Sequence, residues 1–164
     1  MKPKMSTKKV VDNMFISRLE PSKVPYGIML IGINPSIHSS LKSAWEDGFG
    51  RSLISFLSEV DIKKEEIWLT NLYKFPTEDN RALSKEEIKE GWEELKDEIE
   101  ECQPRCIIAM GKQVSDCFSG ELYTTTKYKG ITVYCVPHIN HFQWVRSAVL
   151  RKKAINLLKK IKND

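Results

Sequence analysis

Four short apolar runs, Ile28–Ile33, Ile67–Leu72, Cys106–Met110 and Ile131–Val136, constrain this chain more than any other feature. Each is continuous rather than alternating and rich in Ile and Val, the pattern of strands covered on both faces. Helical patterns fall between them. Arg51–Val60 places Leu53, Ile54, Leu57 and Val60 on one face. Ser84–Cys102 opens with Ser84 and Glu87 at capping-box spacing, then presents Ile88, Trp92, Leu95 and Ile99. Gly111–Phe118 is a shorter pattern. A last one, from about Gln143 to Lys162, carries Val145, Val149, Ala154, Leu157, Leu158 and Ile161 along one side. Strands that alternate with helices specify βαβ units. The expected fold is α/β: a three-layer α/β/α sandwich around a mostly parallel, four-stranded central sheet.

At 164 residues, 41% hydrophobic and 29% charged, the chain is expected to form one domain over residues 1–164 that buries a core without disulfides or metal. Residues 1–25, with Val10, Val11, Met14, Phe15 and Leu19 at helical spacing, are expected to form a covering segment. No apolar run approaches the roughly 20 residues of a membrane span, and the N-terminus has no signal-peptide core, so a cytoplasmic location is expected. Cys102, Cys106, Cys117 and Cys135 make no C-x-x-C pair, and Pro104 separates the first two. They read as buried, reduced thiols rather than metal ligands.

Charge is unevenly spread along the chain. Residues 1–25 hold six basic against two acidic residues, and residues 142–164 hold seven against one. Residues 85–101 hold three lysines against nine acids. Two basic ends and one acidic helix suit a nucleic-acid binder, although solvated faces without a partner would read the same way.

Every strand runs into polar residues. The first breaks into Gly32-Ile33-Asn34-Pro35-Ser36, where Pro35 stiffens the loop and Gly32 admits a close backbone approach. The second leads through Asn71 to Lys74, Phe75, Pro76, Asn80 and Arg81. The third ends at Gly111-Lys112, and the fourth at Pro137-His138-Ile139-Asn140-His141-Phe142. In a parallel sheet these ends share one edge, where ligands of open α/β folds bind. Asn34, Asn71 and His138 should therefore converge, and such groups can read a hydrogen-bonding ligand or stabilise a leaving anion.

This set of motifs, in this order, resembles the uracil-DNA glycosylase superfamily from about residue 27 to 158. Gly32-Ile33-Asn34-Pro35 is similar to the first motif of its mismatch-specific and single-strand-selective branches. Asp47-Gly48-Phe49-Gly50-Arg51-Ser52-Leu53 resembles the segment that carries a base-stacking phenylalanine. Asn71-Leu72-Tyr73-Lys74-Phe75-Pro76 with Asn80-Arg81, the acidic helix and residues 104–111 look more like the iron–sulfur branch. Pro137-His138 is similar to the closing motif.

The resemblance implies a monofunctional DNA glycosylase of base-excision repair, a monomer without cofactor. It would act on DNA that contains deaminated bases: uracil, hypoxanthine or xanthine. Asn34 and His138 would be catalytic, the first holding the attacking water and the second donating to the departing base. Gly32, Ile33, Phe49 and Asn71 would bind the base, with Asn71 matching its donor and acceptor edge. Pro35, Ser36, Lys74, Asn80, Arg81, Asn140, Phe142 and Arg146 would contact DNA, with Phe142 or Trp144 as a wedge. Asn80-Arg81 either positions phosphate or starts the acidic helix.

The chain departs from the family pattern in two places. Phe75 and Gly91 stand where the iron–sulfur branch has cysteines, so no cluster is expected. Ile139 and Asn140 replace the usual Pro and Ser of the closing motif. Two other readings remain open at this point: a non-catalytic, nucleic-acid-binding relative, and an α/β domain that binds a small nucleotide.

Overall fold

The computed structural model describes residues 27–35, 48–139 and 147–163. Its centre is a five-stranded sheet made of β1 (Ile28–Gly32), β2 (Ile67–Asn71), β3 (Cys106–Met110), β4 (Thr124–Tyr128) and β5 (Ile131–Val136). The strand order is β2-β1-β3-β5-β4. β1 pairs in parallel with β2 and β3, and β3 in parallel with β5. The helices are α1 (Gly48–Glu59), α2 (Lys85–Cys102), α3 (Lys112–Cys117) and α4 (Ala148–Leu158), the last continued by a 3-10 turn over Lys159–Asn163.

The alternation of side chains along each strand builds two cores, one on each face of the sheet. Ile28, Leu30, Ile67, Leu69, Ile108 and Val136 pack with Leu53 and Leu57 of α1 and with Ala154, Leu157 and Leu158 of α4. Met29, Ile31, Trp68, Ile107, Ala109 and Val133 pack with Leu95 and Ile99 of α2 and Val114 of α3. The result is the expected three-layer α/β/α sandwich. It also separates charge, because acidic α2 and basic α4 lie on opposite faces.

Two expectations need correction. The sheet has five strands, not four: Thr124–Tyr128 forms an antiparallel edge strand against β5 through a Lys129-Gly130 turn with φ of 48° and 83°. Its β-branched run carries too few apolar residues to stand out beside the buried strands, since its residues are exposed or half-buried. The last helix begins at Ala148, and Val149 is 78% exposed rather than part of the apolar stripe. The covering segment expected at residues 1–25 lies outside the described residues.

Helix α2 shows why the local reading of its start succeeds. Ser84 Oγ accepts from Glu87 N–H at 3.2 Å, and the Glu87 carboxylate accepts from Ser84 N–H at 2.9 Å. The reciprocal capping box satisfies two amides that the helix cannot. The helix ends at Gln103, in the left-handed region at φ 49°, just before Pro104.

Candidate active site

The chain leaves β1 for β2 on one side, then crosses through α2 to β3 on the other. The carboxyl ends of β1 and β3 therefore flank the switch in strand order, where open sheets leave a crevice. Because β1, β2, β3 and β5 run parallel, their carboxyl ends share this edge.

Asn71 closes β2 in register with Gly32. A Cβ on Gly32 would lie 2.5 Å from Asn71 Oδ1, so the absent side chain is what lets the carboxamide lie across β1. Alternation turns Asn71 toward the face that carries α1 and α4. The ladder then runs past the strands, with Leu72 N–H donating to Gly32 O at 2.8 Å and Tyr73 N–H to Ile33 O at 3.0 Å.

Gly111 joins the third and fourth strand ends to the first. At its φ of 106°, a Cβ would lie 3.1 Å from Ile33 Cδ1 and 3.9 Å from His138 Cβ. Ile33 and the half-buried His138 thus both border a position where a side chain would be strained, and Ile33 would crowd it. Gly111, which the sequence marks only as the end of the third strand and not as a site residue, lies within this cluster. A glycine that ends a buried strand and opens a helix is the signal that could have found it.

Asn34 follows directly on this cluster. Its Nδ2 donates to Phe75 O at 3.1 Å. A carbonyl can only accept, so this contact decides which end of the amide faces Phe75. Oδ1 is left as an acceptor, with no partner among the described residues. Asn34 and Asn71 are both half-buried.

Other expected site residues fall elsewhere. Lys74 does not present a charge to DNA. It is 6% exposed, and its ammonium donates to Thr70 Oγ1, Asn71 O and Glu98 Oε1 at 2.7, 2.5 and 2.7 Å. Three acceptors match its three protons, so its charge is neutralised inside the domain. Pro35 is buried. Arg81 is exposed and pairs with Glu87 at 2.7 Å at the start of α2, a contact that leaves both of its expected roles open. Asn80 is exposed, with Asp79 and Asn80 both left-handed at φ 51° and 55°. Ser36, Asn140, Phe142, Trp144, Arg146 and the side chain of Phe49 lie outside the described residues.

Phe75 and Gly91 occupy the two positions at which the resemblance would place cysteines. Phe75 is buried in the apolar core, and a Cβ on Gly91 would lie 2.3 Å from Leu72 O. A cysteine could not replace Gly91 without moving α2 away from the strand-end loop.

Sequence comparison agrees with this geometry. A model of the Uracil DNA glycosylase superfamily matches residues 22–161. The chain belongs to the uracil-DNA glycosylase superfamily. It is also similar to a DNA polymerase of Bacillus phage SP01, with 32% identity over 105 residues, or 63% of this chain. The chain spans 11% of the length of that protein. As a member of this superfamily it has a glycosylase-like α/β domain. Among the described residues, no helix is long and apolar enough to cross a membrane.

Proposed function

We propose that this chain is a monofunctional DNA glycosylase that extrudes a deaminated base and hydrolyses its bond to the sugar. The observation that carries this reading is the anchored Asn34 amide after β1, with its donor end held by Phe75 O so that Oδ1 remains as the acceptor. A water held by Oδ1 would add to the sugar carbon as the bond to the base breaks. The base would take the electron pair as an anion, and the proton lost by the water would pass to solvent or to that base. An amide is no general base, so the barrier would fall mainly through stabilisation of the leaving group. His138 is the donor suited to that anion. Asn71, with both a donor and an acceptor, suits the paired carbonyl and N–H of uracil, hypoxanthine or xanthine.

DNA as the partner is supported by superfamily membership, by the likeness to part of a phage DNA polymerase and by the exposed Lys152, Lys153, Lys159 and Lys160 on one face. Asn80, with Ser36, Asn140, Phe142 and Arg146, is proposed to complete the DNA contact. The protein would act as an intracellular monomer and need no cofactor.

The test is cleavage of end-labelled oligonucleotides that carry one uracil, hypoxanthine or xanthine, followed by alkali. Breaks are expected with the wild type, and removal of the His138 donor by His138→Ala should slow them about 100-fold or more. Asn34→Ala should also abolish most of the activity. Intact strands in every lane, with protein that is folded and binds the same oligonucleotides, would favour the non-catalytic relative. The buried Ile139 in the altered closing motif is the observation on that side.

A further inference from the structure

Behind Asn71 the structure holds a buried polar cluster that the proposed chemistry does not use. Glu98, on the sheet-facing side of α2, is 7% exposed. Its carboxylate accepts from Trp68 Nε1 at 2.9 Å, Thr70 Oγ1 at 2.8 Å and Lys74 Nζ at 2.7 Å. Thr70 has one hydroxyl proton, which goes to Glu98 while the oxygen accepts from Lys74 at 2.7 Å. Lys74 in turn donates to the backbone carbonyl of Asn71 at 2.5 Å.

That last bond is what gives the cluster a purpose. Among the described residues β2 is at the edge of the sheet, so the Asn71 carbonyl points away from β1 and has no described strand to pair with. The other side of the same peptide unit, Leu72 N–H, donates to Gly32 O. The Asn71–Leu72 peptide plane is therefore held from both sides, by β1 and by Lys74. Fixing that plane limits the backbone rotation that aims the Asn71 carboxamide across Gly32. A buried ion pair stabilises a fold little better than apolar side chains of the same shape, so the arrangement is better explained by the geometry it imposes.

We propose that Lys74 and Glu98 form a positioning pair that orients Asn71 for recognition of the extruded base. The inference rests on the base-recognition role given to Asn71 above. Neither residue touches the base. Lys74 acts through the Asn71 carbonyl, while Glu98 and Thr70 hold Lys74 in place.

Removing Lys74 alone would leave Glu98 buried without its cation and could unfold the chain. The test is therefore Lys74→Met/Glu98→Gln, in which both charges disappear and the new amide can still accept from Trp68 and donate to Thr70. A near-native melting curve is expected. Single-turnover cleavage should fall about tenfold or more, because a misaimed recognition group costs rate steeply. In an Asn71→Ala background the same pair of changes should cost less than about twofold, because the group they act on is gone. Additive losses in the two backgrounds, or an unchanged rate, would overturn the proposal.

A second readout is independent of the reaction. The side-chain amide of Asn71 should give one sharp pair of NMR signals in the wild type and shifted or multiple signals in Lys74→Met/Glu98→Gln. Unchanged signals would overturn the proposal whether or not the protein cleaves DNA. Altered signals in the variant, alongside a wild type that cleaves nothing, would instead defeat the glycosylase reading and leave the positioning pair standing.

Discussion

Asn71 stands opposite Gly32 in the β1–β2 ladder, and its carboxamide Oδ1 fills the space that a side chain at residue 32 would need, 2.5 Å from an added Cβ. Gly91 is equally crowded, but by the Leu72 carbonyl at 2.3 Å, a backbone group that cannot swing aside. The two glycines should therefore fail differently when they acquire a methyl group.

Gly32→Ala is expected to keep its fold, because the end of a flexible side chain can turn away, and to lose cleavage about tenfold or more as Asn71 is displaced. Gly91→Ala should lose about 1–3 kcal/mol, because α2 must shift from the strand-end loop. Urea denaturation and single-turnover assays on both variants separate the two cases. Equal losses of stability would contradict the distinction.

Asn34→Asp is expected to slow cleavage although a carboxylate is the stronger base. The new side chain cannot donate to Phe75 O, and two acceptors would face each other where Nδ2 and that oxygen now lie 3.1 Å apart. The cost in stability should be about 0.5–1.5 kcal/mol, that of one hydrogen bond lost. A variant faster than the wild type near neutral pH would show that Asn34 is not held as described.

The start of α2 should be sensitive to acid. The Glu87 carboxyl is held at about 2, well below its ordinary 4.5, by the hydrogen bond from Arg81 and by the Ser84 amide. A carboxyl lowered in the folded state contributes stability that is complete above its unfolded value and is lost as pH falls toward the folded one. The gap in urea midpoint between wild type and Glu87→Gln should be open at neutral pH and close as pH falls from about 4.5 to about 2. Because Arg81 is about half exposed, solvent should keep the gap small. Ser84→Ala should cost about 1 kcal/mol at any pH through loss of the cap.

The thiols should be inert in the folded protein. Burial pushes Cys102 up to about 12 and Cys117 up to about 11, and it raises Cys135 as well. Cys106 is wholly buried in β3. Since the thiolate is the reactive form, a disulfide reagent at neutral pH should label native protein slowly and all four cysteines once it is denatured. A thiol that reacts within seconds in native protein would contradict this burial.

Much of the fold was legible because it is written in local patterns. The four buried strands announce themselves as continuous Ile- and Val-rich runs, since both their faces are covered. The start of α2 is specified by Ser84 and Glu87, three residues apart. The edge strand Thr124–Tyr128 was not legible, because its residues are neither buried together nor cleanly alternating.

The order of motifs alone determined the superfamily, the layered α/β architecture and the strand edge at which Asn34, Asn71 and His138 would fall. That much follows from the sequence because strand ends in a parallel sheet share an edge whatever the details of packing. What each polar residue does there was decided by tertiary structure. Lys74 looks like a phosphate ligand in sequence and is instead a buried partner of Glu98, 24 residues away. Gly111 looks like a helix start and also lies against Ile33 and near His138. The physical reason is range: propensity and capping act between neighbours in sequence, whereas hydrogen-bond partners and close approaches are set by segments that meet only after the chain has folded.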